Sequence, residues 1–185
     1  MRLFVGIELP SHLKHVLYNI SEPLRSQLSN TRWVSPENIH LTLKFLGSTE
    51  DEKLDEIVNA IENAIKNFRK FYFSLDSVGG FPSSRKARVL WVGISHGSSE
   101  LIELSKAIEE SLAPLGFEIE KKPFKPHITL ARIRIPTSIE SAATQMPSGE
   151  ISGRVVNVDG ITIFQSRLKP TGAEYEAIRF IPLQG

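Results

Sequence analysis

The order of hydrophobic periods along this 185-residue chain predicts an α+β fold, mostly antiparallel, with helices covering sheet faces. Three observations carry that reading. Segments of period two recur along most of the chain, two long segments of helical period interrupt them, and several strands stand as hairpin neighbours. No low-complexity stretch or linker divides the sequence, so residues 1–185 are read as a single domain.

Residues 2–8 alternate and read as a strand. Residues 10–29 read as a helix opening at Pro10, with Pro23 expected to kink or restart it, because proline lacks the N–H that a helix interior uses. Residues 38–46 alternate and run into Gly47, the pattern of a strand ending in a turn. Leu54, Ile57, Val58, Ile61, Ile65 and Phe68 then recur at helical spacing, with acids at the start, where the helix dipole favours them. Strands follow at 71–78 and 87–95, separated by a loop containing Gly79-Gly80-Phe81-Pro82-Ser83-Ser84. A second amphipathic helix presents Leu101, Leu104, Ile108, Leu112 and Leu115 on one face and stops at Gly116. Residues 126–134 form another alternating strand, 137–145 a short helix, and 152–165 and 173–181 two closing strands.

Composition narrows the chemistry. Apolar residues make up 41% and charged residues 23%, which suits a globular core. No apolar run approaches the roughly 18 residues that a membrane-spanning helix needs. The N-terminal apolar stretch lacks a signal peptide's cleavage region, which leads us to expect a cytoplasmic protein. The absence of cysteine removes disulfides, thiolate nucleophiles and Cys-ligated zinc. The net charge of +1 is unevenly spread: Glu50–Glu62 is strongly acidic, whereas Lys121, Lys122, Lys125, Arg132 and Arg134 stand in a segment without an acid. A local basic patch of that kind suits an anionic substrate.

Two of the five histidines stand in matched contexts, His40-Leu41-Thr42-Leu43 and His127-Ile128-Thr129-Leu130. Alternate residues of a strand share a face. His40 therefore lies beside Thr42 and His127 beside Thr129, while the aliphatic residues turn to the core. Two imidazoles converging on one phosphate form a general acid–base pair, because an unperturbed pKa near 6.5 serves both roles. The threonine hydroxyls can donate to phosphate oxygens as charge develops. Arg132 could add a positive charge, but strict alternation turns it away from His127, so it needs a bulge to reach.

These motifs resemble those of the 2H phosphoesterase superfamily. The flanking text, Arg2–Pro10, Arg32-Trp33-Val34, Asn38–Gly47, Gly80-Phe81-Pro82, Arg88–Gly93, Pro123–Arg132, Ser166-Arg167-Leu168 and Gly172–Glu176, resembles its RNA 2′,3′-cyclic phosphodiesterase branch, historically called 2′-5′ RNA ligase. The resemblance spans essentially the whole chain. It implies a bilobal fold of pseudo-twofold symmetry, two mostly antiparallel sheets with helices on their outer faces and a central cleft. It further implies metal-independent opening of 2′,3′-cyclic phosphates to 2′-phosphomonoesters, with no cofactor, and in some relatives 2′-5′ ligation without a nucleotide. On that basis His40 is the proton donor and His127 the proton acceptor, although the sequence does not decide against the reverse. Thr42, Thr129 and Arg132 would bind the phosphate. The implied partners are RNAs with cyclic phosphate ends, tRNA halves being one candidate, with neither a membrane nor an obligate protein partner.

Other residues carry less. His12 and His15 stand three apart without a third ligand and read as a solvated helix face, and His96 as a turn residue. Phe81, in the Gly/Pro loop, is a candidate for base stacking and Trp33 could also stack, whereas Trp91 and Phe164 suit the core. The rival readings are a non-catalytic RNA-end or nucleotide-binding module and a metal-dependent phosphoesterase, the latter needing carboxylates that neither motif contains.

Overall fold

The computed structural model describes residues 1–170 and 172–185. Strand β1 (Arg2–Glu8) leads into α1 (Ser11–Ile20) and α2 (Glu22–Arg25). The helix expected over 10–29 is thus two. Ser21 donates its hydroxyl back to the Leu17 carbonyl at 2.8 Å, and Pro23 takes a place in the first turn of α2, where its missing N–H costs nothing. A three-residue strand, β2 (Thr31–Trp33), is too short to show a period in the sequence. A single 3-10 turn over Pro36–Asn38 then delays β3 (His40–Ser48) to two residues beyond the expected start.

Helix α3 (Leu54–Ile65) follows, burying Ile57, Val58, Ile61 and Ile65 as its spacing predicted. β4 (Phe71–Phe81) is longer than expected: Gly79, Gly80 and Phe81 continue the strand instead of forming a loop. The reason is space. The ring of Trp91 lies over Gly79, where a Cβ would meet it at 2.3 Å, and a Cβ on Gly80 would meet Ala87 at 2.7 Å. Both glycines are close-approach positions, which read like turn signals in sequence. β5 (Ala87–His96), α4 (Ser98–Leu112) and β6 (His127–Thr137) complete the middle of the chain.

The expected helix at 137–145 is α5 (Glu140–Gln145), and α6 (Ser148–Ile151) adds one turn. The single strand expected at 152–165 is two, β7 (Val155–Val158) and β8 (Gly160–Lys169), which pair at opposite ends of the sheet. β9 (Gly172–Pro182) is the last.

The strands form one curled sheet in the order β7-β4-β5-β6-β3-β1-β8-β9, with β2 added to the edge of β6, and every pairing between these strands is antiparallel. The two expected sheets are halves of this ladder. Their junction is a single residue pair, Leu41 with Ile128, which occupy the same place in the two motifs.

Helices line the buried side. α3 packs on α4, α4 on β3, and α6 against β4. One continuous core results, in which Leu41, Leu43, Ile128 and Leu130 are all at most 3% exposed. Burying each such side chain contributes about 1.5–3 kcal/mol, which is ample to hold both motifs in place. Polar ties add direction. The Ser105 hydroxyl donates to the Leu43 carbonyl at 3.0 Å, and Lys44 pairs with Glu109 at 2.9 Å while donating to the Glu118 carbonyl. Strand β3 is thereby fixed to α4 directly beneath His40 and Thr42.

Candidate active site at the seam of the half-sheets

Both motif strands change register at matched points. Gly6 pairs with Thr42 but Val5 with Lys44, so β3 holds one extra residue there. Trp91 pairs with Thr129 but Leu90 with Ala131, so β6 does the same. Such a bulge shifts the inward–outward alternation by one. Leu43 and Lys44 are consequently buried in succession, as are Leu130 and Ala131. From His40 to Leu46 and from His127 to Ile133 the pattern of half-buried, buried and exposed residues is identical. The face of His127 and Thr129 therefore continues to Arg132, and the bulge that this arginine requires is present. The corresponding residue beyond Thr42 is Phe45, which is 62% exposed.

An antiparallel register through Leu41 and Ile128 carries His40 towards Thr129 and Thr42 towards His127, so the imidazoles lie diagonally across the seam. Each ring is oriented in the same way. His40 Nδ1 lies 2.6 Å from the Asn38 carbonyl, and His127 Nδ1 lies 2.6 Å from the Lys125 carbonyl. A carbonyl only accepts, so Nδ1 carries the proton in both rings and Nε2 is the basic nitrogen. The carbonyl belongs in each case to the residue two before the histidine. The 3-10 turn at Pro36–Asn38 and the Lys125-Pro126 step supply it. The two Nε2 atoms differ in one respect: that of His40 stands 2.8 Å from the Thr42 hydroxyl.

The surroundings of the rings differ more. His40 stacks on Phe4 with centroids 4.7 Å apart and meets the edge of Tyr175 at 5.2 Å, and Phe4 stacks in turn on Phe164. Burial among these rings holds the His40 pKa down to about 4; the Asn38 carbonyl opposes the shift, and the charge on Lys14 adds to it. Lys14 itself donates to the Glu8 carboxylate and to the Glu37 carbonyl, which ties α1 to the turn that orients His40. Burial also lowers the pKa of His127, opposed by the Lys125 carbonyl and assisted by Arg132. Both imidazoles are therefore neutral in the free protein at neutral pH.

Phe81 is half-buried at the end of β4, edge-on to His127 at 5.0 Å and tilted against Trp91 at 5.0 Å. Trp33 packs against the core, and Phe164 is 6% exposed. His12 and His15 are exposed on α1, and exposed His96 stacks on Tyr72, all apart from the seam. Among the described residues no group of three or more His, Cys, Asp or Glu gathers as a metal site would require. A hollow of about 550 Å³ between the α1–α2 corner and Pro147–Glu150 is lined by neither histidine.

Sequence reasoning missed Phe45, Lys14 and Tyr175. Phe45 was accessible in principle, since aligning the two motifs sets it opposite Arg132. Lys14 and Tyr175 reach His40 only through tertiary contacts that carry no local signal.

A family model described as LigT like Phosphoesterase matches the chain twice in succession, over residues 7–91 and 92–175, each match holding one motif. An RNA 2′,3′-cyclic phosphodiesterase of Thermotoga maritima is 32% identical, covering 100% of this chain and 97% of its own length. Another, from Archaeoglobus fulgidus, is 33% identical over 97% of this chain and 98% of its own. Among solved structures, a Thermus thermophilus protein superposes with a TM-score of 0.83 at 27% identity, covering 100% and 99% of the two chains. Escherichia coli LigT complexed with 3′-AMP gives 0.78 at 25% identity, covering 100% and 98%. With its motifs, its curled antiparallel sheet and both halves of its sequence matched, the chain belongs to the LigT-like phosphoesterase family.

Proposed function

We propose that the protein opens 2′,3′-cyclic phosphates at RNA ends to 2′-phosphomonoesters by acid–base catalysis between His127 and His40, without a metal or other cofactor. The observation that carries this reading is the pair of matched imidazoles, each held at Nδ1 by a backbone carbonyl at 2.6 Å, which leaves Nε2 as the basic nitrogen. Neutral His127 Nε2 takes a proton from water, the water oxygen bonds to phosphorus, and the bond to the ribose 3′-oxygen breaks. His40, protonated when the anionic substrate binds beside it, delivers its proton to that leaving oxygen. Thr42 and Thr129 donate to the non-bridging oxygens, and Arg132 balances their charge as it grows.

The names of the relatives support the substrate class, and the complex of E. coli LigT with 3′-AMP supports a nucleotide-sized ligand. Each half of the chain contributes one histidine and one threonine, which supports one domain of two pseudo-symmetric lobes. The same acid–base pair acting in the same direction, with a ribose 5′-hydroxyl attacking the cyclic phosphate in place of water and the 3′-oxygen leaving, would join RNA ends through a 2′-5′ bond. RNAs ending in cyclic phosphates, tRNA halves among the candidates, are the partners this chemistry requires. Phe81, half-buried and edge-on to His127, acts in this reading as a wedge that fixes the ring and offers its exposed part for base stacking.

His40→Ala and His127→Ala are each expected to lower kcat/KM on a cyclic-phosphate RNA by about 10²–10⁴-fold with unchanged circular dichroism. Near-wild-type rates in both variants would overturn the reading.

A further inference from the structure

The second half-sheet carries more positive charge beside His127 than the reacting phosphate uses. Arg32 of β2 is the direct cross-strand partner of Arg132 of β6. Direct partners in an antiparallel pair share a face with their Cβ atoms about 4.5–5.5 Å apart, and like charges so placed repel. Trp33, one residue on, pairs with buried Ala131 and packs on the core, so Arg32 and Arg132 share the other, open face. Arg134 lies two residues beyond Arg132 on that face and is also exposed. Among the described residues, no carboxylate lies within ion-pairing distance of Arg32, Arg132 or Arg134. Arg167 and Lys169 on β8, by contrast, are paired with Glu176 and Glu174. Charge repulsion left uncompensated beside a phosphate site is relieved by a polyanion that brings more than one phosphate.

We propose that Arg32, side by side with Arg132, forms a second phosphate subsite that holds the next phosphodiester of a single-stranded RNA. On this basis the protein prefers oligonucleotide ends to cyclic mononucleotides. The inference rests on the proposed reaction, since Arg132 is taken to bind the reacting phosphate. Arg32 suits the task. Its guanidinium offers a planar fork to phosphate oxygens, and the residue is exposed on the edge strand, with Nη2 beside Gly172 at the start of β9, where a Cβ would meet it at 3.3 Å. Recognition of this kind is independent of base identity and sensitive to salt.

The test compares wild type, Arg32→Gln and Arg32→Lys on a 2′,3′-cyclic mononucleotide and on a short RNA with the same end. Rates are measured between about 50 and about 200 mM salt, where counterion release is read. Arg32→Gln is expected to lower kcat/KM on the RNA by about 10- to 150-fold, the range of a charge-assisted contact. It should also flatten the log–log salt dependence by about 0.7, the value for one single-strand phosphate. The mononucleotide rate should stay within about twofold, and Arg32→Lys should restore most of the salt slope. Equal losses on both substrates would show that Arg32 serves the reacting phosphate, and no loss on either would show that it binds none; each result overturns the proposal. If wild type turns over neither substrate, the reaction is misassigned. Fluorescence anisotropy of a labelled RNA ending in a 3′-phosphate then still reads the subsite, and binding unaltered by Arg32→Gln would refute it.

Discussion

Replacing His40 by asparagine should convert its suppressed charge into a measurable difference in stability. Asparagine keeps an N–H near the position of Nδ1, able to donate to the Asn38 carbonyl, but does not titrate. In the native protein the His40 pKa is held to about 4, against 6.5 for an unperturbed imidazole. Between those values the unfolded chain binds a proton that the folded chain does not, so acid favours unfolding. The stabilisation is whole above pH ~6.5 and is lost as pH falls towards ~4. Integrated from pH ~8 to pH ~4, the loss is about 3 kcal/mol. Urea unfolding of both proteins at those two pH values isolates the effect, because other titrating groups cancel in the difference. Wild type should lose about 3 kcal/mol more than His40→Asn on acidification. Equal losses would mean that His40 ionises freely in the folded state, and the account of its ring stack would be wrong.

Two further outcomes follow from the same geometry. The rate requires one proton shared by two histidines whose pKa values both lie below 6.5, so kcat/KM should peak on the acid side of that value. It should fall towards tenfold per pH unit on the alkaline side, and a pH–rate profile peaking above ~7.5 would contradict the burial described. Lys44→Met should cost about 3–5 kcal/mol in urea unfolding, because it leaves the Glu109 carboxylate, 16% exposed, without its cation. Adding Glu109→Gln should recover much of that loss, and a neutral single variant would show that the pair does not anchor β3.

The parts of the fold that the sequence displayed are those with a long local period. Leu54 to Ile65 and Leu101 to Leu112 declared their helices, and the alternation in both motifs declared the strands that carry the chemistry. What it concealed depends on distant partners. Gly79 and Gly80 look like a turn because the side chains that occupy their missing Cβ space belong to Trp91 and Ala87, on another strand. The break between β7 and β8 is a change of partner strands, not of local pattern. At the site, the histidines and threonines were legible as a repeated four-residue pattern. The bulges were not, because each depends on the register of the neighbouring strand. Only with those bulges does Arg132 join His127 and Phe45 join His40 on one face.

The measurement that bears most directly on the central claim is product analysis with purified protein in excess EDTA. The substrate is a short RNA ending in a 2′,3′-cyclic phosphate, and ³¹P NMR distinguishes the 2′- from the 3′-monoester. The two-histidine account predicts accumulation of the 2′-phosphate alone. A 3′-phosphate product, or an RNA end opened only when a divalent ion is restored, would contradict it.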